Sequence, residues 1–326
     1  MGLKGLAIVL GAGASRGAKN GGEHEVPVDA NFFTVAKKLW KSMHKKDSKT
    51  VGVWRGFKEG LKQAGVPDAS LKSLENTATY LEARKSITLE KKSGHPANYG
   101  EILDNLNQVI YYTLKGTGGD QSCEIHKALF ECVKPKVVIS FNYDLIADQT
   151  LLEMEKLAWW KKEYCGTDGK GKGYGKRDTT IHFLKLHGSI NWKKNGRGHR
   201  LIKKPSENRG FILPADAPGS PYIIPPIAVK NISGPLAGNW KAARSKLTDS
   251  KGCIIWGYSF PRTDNAALIL FRTALRKTGR KNIIVVNPDY SVAERAEELL
   301  GLKKGTVKYC PSMERFLFDQ KKLEIK

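Results

Sequence analysis

The sequence predicts an α/β fold: a parallel sheet with helices on both faces and an inserted helical subdomain. Three observations predict it. Short apolar runs stop abruptly at polar residues, as in KGLAIVLGAGAS, VVISFNYD and FLKLHGS; buried parallel strands look like this when they deliver side chains to a crevice at their carboxyl ends. Strand patterns alternate with helical ones, which argues for a sheet covered on both faces. Between the first two strands, residues 32–133 read as consecutive helices. The expected organisation is a sheet domain from 1–31 and 134–326, interrupted by a helical subdomain at 32–133.

The first strand covers roughly residues 5–11, all apolar or small. A polar, glycine-rich loop follows, SRGAKNGGEHEVPVD, long enough to act as a lid or binding loop. In ANFFTVAKKLWKSMHKK, residues Phe32, Phe33, Ala36, Leu39, Trp40 and Met43 recur at helical spacing, with Asp29 or Asn31 as the cap. Residues 52–64, 70–92 and 98–115 also read as helices. Ser70 serves as a cap for the second, and Asn98 with Glu101 gives the third a capping-box pattern before Gly116 stops it. A further helix at 121–133 ends before Pro135. The next strand is 136–141 with its helix at 145–158, and another strand lies at 181–186. A long loop-rich stretch follows, its prolines breaking regular structure. Then CIIWGYSFPRTDNAALILFRTALRK and NIIVVNPDYSVAERAEELLG each read strand, turn, helix.

A chain of 326 residues can bury a full core, as one large domain or two modest ones. No apolar run approaches the length of a membrane span. The opening MGLKGLAIVLGAGAS is short and ends in a glycine turn, so it reads as a core strand rather than a secretion signal, and the cytoplasm is the expected location. The five cysteines, Cys123, Cys132, Cys165, Cys253 and Cys310, lack zinc-knuckle spacing and suit reduced, buried thiols. With 55 Lys and Arg against 32 Asp and Glu, the formal net charge is +23. That field attracts polyanions: nucleic acid, an acidic membrane surface or an acidic partner. It concentrates at 159–177 and 192–209. Aromatics between lysines there would stack on exposed bases; the alternative is a pair of solvated loops.

Polar residues punctuate five strand ends: GAGAS, FNYD, LHGS, GYSFPRTD and VNPD. In a doubly wound sheet these ends lie together. Gly11 and Gly13 allow a tight turn and let backbone amides approach a phosphate. Gly17 falls one position late for a GxGxxG fingerprint, the expected acidic residue some twenty positions on is missing, and no GK[ST] ending marks an ATPase phosphate loop. Asn142 offers donors and acceptors for a ribose hydroxyl or a water. Asp144 either binds or caps the helix that starts at Leu145. His187, beside Gly188 and Ser189, would point an imidazole into the crevice.

Taken in order, GAGAS, the segment with Pro27, Asp29, Phe32 and Phe33, FNYD, LHGS and GYSFP resemble the sirtuin-like (silent-information-regulator-like) domains of bacterial anti-phage defence systems, over about half the chain. The resemblance implies a Rossmann-like NAD-binding domain with a helical insertion. It implies a nucleotide-binding turn at Gly11, Ala12, Gly13 and Ser15, Asn142 and Asp144 around the nicotinamide ribose, and His187 as the catalytic histidine. Asp29 and Phe33 fall in the cofactor loop, and Ser259 and Asn287 where the phosphates and adenosine ribose are contacted. Protein-deacylating sirtuins carry a four-cysteine zinc module after the histidine strand and an arginine in the cofactor loop. This chain lacks that cysteine spacing and has PVDANFF instead, so no zinc is expected and NAD⁺ hydrolysis is favoured over deacylation.

The expected activity is cleavage of the nicotinamide–ribose bond of NAD⁺, consumed as substrate, by an effector that depletes NAD when activated. Control by self-assembly, or by a defence partner such as a translocase-type ATPase, goes with that reading. A protein deacylase or ADP-ribosyltransferase, and a non-catalytic basic module that binds nucleic acid or senses NAD, are the alternatives.

Overall fold

The computed structural model describes residues 3–16, 25–43, 48–87, 98–154, 181–195, 198–201, 221–227, 236–275 and 282–324. Six strands form one parallel sheet: β1 (Ala7–Leu10), β2 (Val137–Ser140), β3 (His182–Lys185), β7 (Gly252–Trp256), β8 (Asn282–Val286) and β9 (Val307–Cys310), in the order β3-β2-β1-β7-β8-β9. Chain order runs outward from β1 to one side, then returns to β7 and runs outward to the other. This is the doubly wound Rossmann order, and it puts a topological switch point between β1 and β7. β1 is central, with Ile8 opposite Val138 on one side and Ile254 on the other. Its four residues are wholly buried because helices cover both faces of the sheet.

Those helices are α1 (Ala12–Arg16), α6 (Glu124–Val133), α7 (Ile146–Glu153), α8 (Ala237–Asp249), α9 (Asn265–Leu275), α10 (Ser291–Leu300) and α11 (Met313–Glu324). Their apolar stripes and the strands make one continuous core, to which Phe130, Leu151, Trp240, Phe271, Leu300 and Phe316 belong. Among the described residues no further strand lies beyond β3 in this sheet. Instead α8 fixes it, with Asn239 Nδ2 donating to Lys185 O at 2.9 Å and Trp240 Nε1 to Leu186 O at 3.0 Å.

A second core lies in the helices between β1 and β2: α2 (Phe32–Met43), α3 (Ser48–Gln63), α4 (Leu74–Ile87) and α5 (Tyr99–Gly116). It reaches the sheet region through Leu145, Ile146, Ile190 and Ile223. α6 follows these helices in sequence, yet its Leu129, Phe130 and Val133 pack in the sheet core. Local capping differs from the expectation in two places. Asn31 Oδ1 accepts from Val28 N at 2.8 Å and Asp29 Oδ1 from Glu75 N at 2.7 Å, so Asp29 ties the loop to α4 rather than capping α2. Ser70 opens a short 3₁₀ turn, and it is Ser73 whose hydroxyl accepts from Asn76 N at the start of α4. Asn98 does accept from Glu101 N at the start of α5.

The stretch expected to be loop-rich contains regular structure. β4 (Gly188–Asn195), β5 (Gly198–Leu201) and β6 (Pro221–Ile223) form a small antiparallel sheet in the order β5-β4-β6, and α8 follows. Hydrogen bonds between strands 4.7–4.9 Å apart satisfy a backbone whose mixed side chains give no apolar run. The glycine loop after β1 likewise begins as the short helix α1. No described helix is long and apolar enough to cross a membrane.

Candidate active site

A cavity of about 700 Å³ opens along the carboxyl edge of the large sheet. Every strand of that sheet contributes to its wall at or just beyond the strand end: Gly11 after β1, Asn142 after β2, His187 after β3, Tyr258 after β7, Asn287 after β8 and Ser312 after β9. At about 4.8 Å between neighbouring strands, five intervals span about 24 Å, room for an elongated ligand. The volume lies in the range of small-molecule sites.

At the switch point the β1 turn and the β7 turn touch backbone to backbone. Gly11 N donates to Trp256 O and Gly13 N to Gly257 O, both at 2.9 Å. A Cβ on Gly11 would lie 2.5 Å from Tyr258 Cα, and one on Gly257, at φ +68°, would lie 2.1 Å from Ala14 N. These glycines are therefore required by the junction between two turns. The amides of Gly11 and Gly13 are engaged there.

Asn142, Ser15 and Asp144 form one buried chain. Asn142 Nδ2 donates to Gly11 O at 2.9 Å and to Ser15 Oγ at 2.8 Å. The Ser15 hydroxyl donates to Asp144 Oδ2 at 2.6 Å, and Asp144 Oδ1 accepts from Ile146 N at 3.2 Å. Both amide hydrogens of Asn142 are thus engaged, and its Oδ1 is what the side chain can offer as an acceptor. Burial pushes the Asp144 carboxyl above its usual range, opposed by the Lys185 ammonium and the Ser15 hydrogen bond. Lys185, itself fully buried, donates to Asp144 O and pairs with Asp148 at 3.1 Å. A buried cation under the sheet edge thereby clamps the turn that carries Asn142.

His187 sits where β3 ends and the chain reverses into β4. Gly188, at φ +84°, makes that reversal; a Cβ there would lie 2.2 Å from Tyr222 O. His187 is 5% exposed. It is surrounded by the rings of Phe141, Trp240 and Tyr143, with centroids at 5.1, 6.1 and 6.3 Å. Its Nε2 lies 3.8 Å from Asp264 Oδ2. Tyr258 OH donates to the same oxygen at 3.1 Å. Burial, then the Asp264 charge, drives the Tyr258 and Tyr143 phenols well above their ordinary values.

The structure brings Gly11, Ala12, Gly13, Asp29, Asn142, Asp144, His187, Ser259 and Asn287 to one cavity. Ser15 lies just beneath it, 1% exposed. Phe33 does not line it. That ring stacks on Phe57 in the helical core, and Phe32 lines the cavity instead, because successive helical residues point about 100° apart. Sequence reasoning passed over Asp264, although GYSFPRTD had marked its segment. It also passed over Arg16 and Arg295, which line the wall with Arg295 Nη1 on Ser259 O at 2.9 Å. Charge is unevenly placed. The acid Asp264 sits by His187, while the cation Arg295 sits by Ser259.

Residues 159–177 lie outside the described residues, as do 196–197 and 202–209, so most of the two basic stretches does too. Among the described residues no disulfide joins Cys123, Cys132, Cys253 and Cys310, and Cys165 lies outside them. Among the described residues no group of three His, Cys, Asp or Glu could hold a metal ion.

The fold and the site together define a doubly wound α/β protein with a long ligand crevice at its switch point. No family model and no curated protein matches the chain. Among solved structures it is similar to a Sir2 homologue mutant in complex with 2′-O-acetyl ADP ribose, at 14% identity over 69% of this chain and 77% of that chain, with a TM-score of 0.41. A Sir2 homologue mutant with ADP ribose gives 14% identity, 76% and 90% coverage and a TM-score of 0.39. A Sir2–p53 peptide–NAD⁺ complex gives 12%, 76% and 90%, and 0.39. At those identities and scores, the functional reading rests on this chain's own geometry.

Proposed function

We propose that the chain is an NAD⁺ glycohydrolase that cleaves the bond between nicotinamide and ribose. The observation that carries this reading is the one cavity that joins a glycine junction, an amide, an imidazole and two arginines along a whole sheet edge. An elongated molecule with anionic phosphates and a cationic head suits a cavity with Arg16 and Arg295 in its wall and Asp264 beside the imidazole.

The chemistry follows from the bond. When the C1′–N bond breaks, its electron pair neutralises the pyridinium ring, nicotinamide leaves and the ribose gains oxocarbenium character. Water adds through oxygen to C1′, and the proton it loses goes to His187 before release to solvent. ADP-ribose, nicotinamide and one proton are the products. Asn142 Oδ1 accepts a hydrogen bond from a ribose hydroxyl or from the attacking water. Asp144 acts through Ser15 and the backbone of its own turn, and the buried negative charge favours the cationic ribose. The aromatic wall around His187 excludes other water.

The motif order supports a setting in anti-phage defence, where the enzyme stays silent until self-assembly or a partner such as a translocase-type ATPase activates it. Nucleic acid meeting the basic stretches at 159–177 and 192–209 is part of the same proposal.

The test is nicotinamide release by the purified protein, with and without nucleic acid. His187→Ala and Asn142→Ala are each expected to lower turnover by roughly 10²–10⁴-fold while the protein stays folded. Intact NAD⁺ under every condition, or equal turnover in the variants, removes the reading.

A further inference from the structure

We propose that Asp264 is a positioning residue for His187: it fixes which ring nitrogen bears the hydrogen and holds the imidazole in the cavity wall. The role deepens the hydrolase reading and rests on it for its catalytic meaning. Asp264 is 4% exposed, and its Oδ2 faces His187 Nε2 at 3.8 Å. Tyr258 OH donates to that oxygen at 3.1 Å, and Ala267 N donates to Oδ1 at 3.3 Å. The residue directly precedes α9, whose N-terminus carries partial positive charge. Two donors and a helix N-terminus favour the anionic carboxylate and oppose the burial that favours the neutral acid.

An anionic oxygen repels a ring lone pair and attracts a ring N–H. Hydrogen therefore sits on Nε2, and Nδ1 carries the lone pair that accepts a proton. The Tyr143 and Tyr258 phenols are held neutral by burial, and Lys185, two residues back on β3, is paired with Asp148. The separation of 3.8 Å exceeds a hydrogen bond. Closing by about 1 Å makes one.

Asp264 also caps α9: Leu268 N donates to its carbonyl oxygen at 3.0 Å. Capping alone and positioning give different outcomes in Asp264→Asn. Asn caps a helix as well as Asp does, so the thermal midpoint should stay close to that of the parent. Its amide can turn an N–H towards Nε2 and favour the opposite tautomer. ¹⁵N-labelled histidine spectra of the full chain read this directly. The parent should show hydrogen on Nε2 of His187, and Asp264→Asn should move it to Nδ1. NAD⁺ turnover should fall by about 10²-fold or more, and its pH profile should shift. Asp264→Ser, another good cap without the charge, should abolish the Nε2 preference if the Asn variant folds poorly.

A His187 ring pattern unchanged in these variants overturns the proposal and leaves Asp264 as a cap. A tautomer switch in a protein that never releases nicotinamide keeps Asp264 as the positioning residue and discards the hydrolase reading instead.

Discussion

Lys185 and Asp148 are each at most 1% exposed, and they meet at 3.1 Å beneath the turn that carries Asn142. Two charges removed from water are best tolerated together, because truncating either leaves the other desolvated without its 3.1 Å ion-pair partner. Lys185→Met should therefore cost about 3–5 kcal/mol in denaturant unfolding, and Lys185→Met/Asp148→Leu should recover much of that loss. Equal costs in the single and double variants would refute the coupling. The single variant should also weaken the cavity, because the Lys185 ammonium holds the Asp144 carbonyl. The sequence marked Asn142, Asp144 and His187 through abrupt polar stops after apolar runs. It did not mark Lys185 or Asp264, because a buried cation inside a strand and an acid before a helix look like ordinary punctuation until partners 37 and 77 residues away are placed.

Among the elements, the turns after β1 and β7 form the least forgiving contact of the crevice. Gly257→Ala forces a left-handed conformation on alanine and drives its Cβ to 2.1 Å from Ala14 N, a backbone atom that cannot yield as a side-chain tip can. A loss of at least about 2 kcal/mol is expected from the left-handed penalty and the displaced turn. Gly52→Ala is the control: it sits in α3 with nothing within 4 Å of the added Cβ, and should gain about 0.5–1 kcal/mol. Thermal unfolding of both separates a general glycine effect from the junction. The same scale explains which elements the sequence announced. β1, β2, β7 and β8 are buried on both faces and read as apolar runs. β9 is an edge strand that exposes Lys308, so its run is broken. β4 carries Gly, Ser, Asn and Lys among its apolar residues, and α8 packs through little more than Trp240, Ala243 and Leu247 among basic residues. α11 was passed over as well, since its apolar face reaches the core through little more than Met313 and Phe316.

For the whole molecule, acid stability should turn on His126. This side chain on α6 is fully buried against Trp256, with ring centroids 4.5 Å apart, and burial lowers its pKa from 6.5 to about 3. The sign follows directly. Below pH 6.5 the unfolded chain takes up a proton that the folded one refuses, so stability is lost as pH falls from about 6.5 towards about 3, by up to about 1.4 kcal/mol per unit. His126→Phe, which cannot titrate, should flatten the stability curve between pH 6 and 4; parallel curves for both proteins would exclude His126 as the cause. Trp256 also lines the cavity, so protonating its neighbour loosens the wall itself.

β1 is made first, yet its two neighbours in the sheet come from residues 137–140 and 252–256. The crevice needs the end of each, together with His187 and Asp264. A chain still emerging from the ribosome, or one clipped before Gly252, holds only unconnected parts of it. Whatever reaction the finished edge performs, it must wait until the chain has been made through the end of β9.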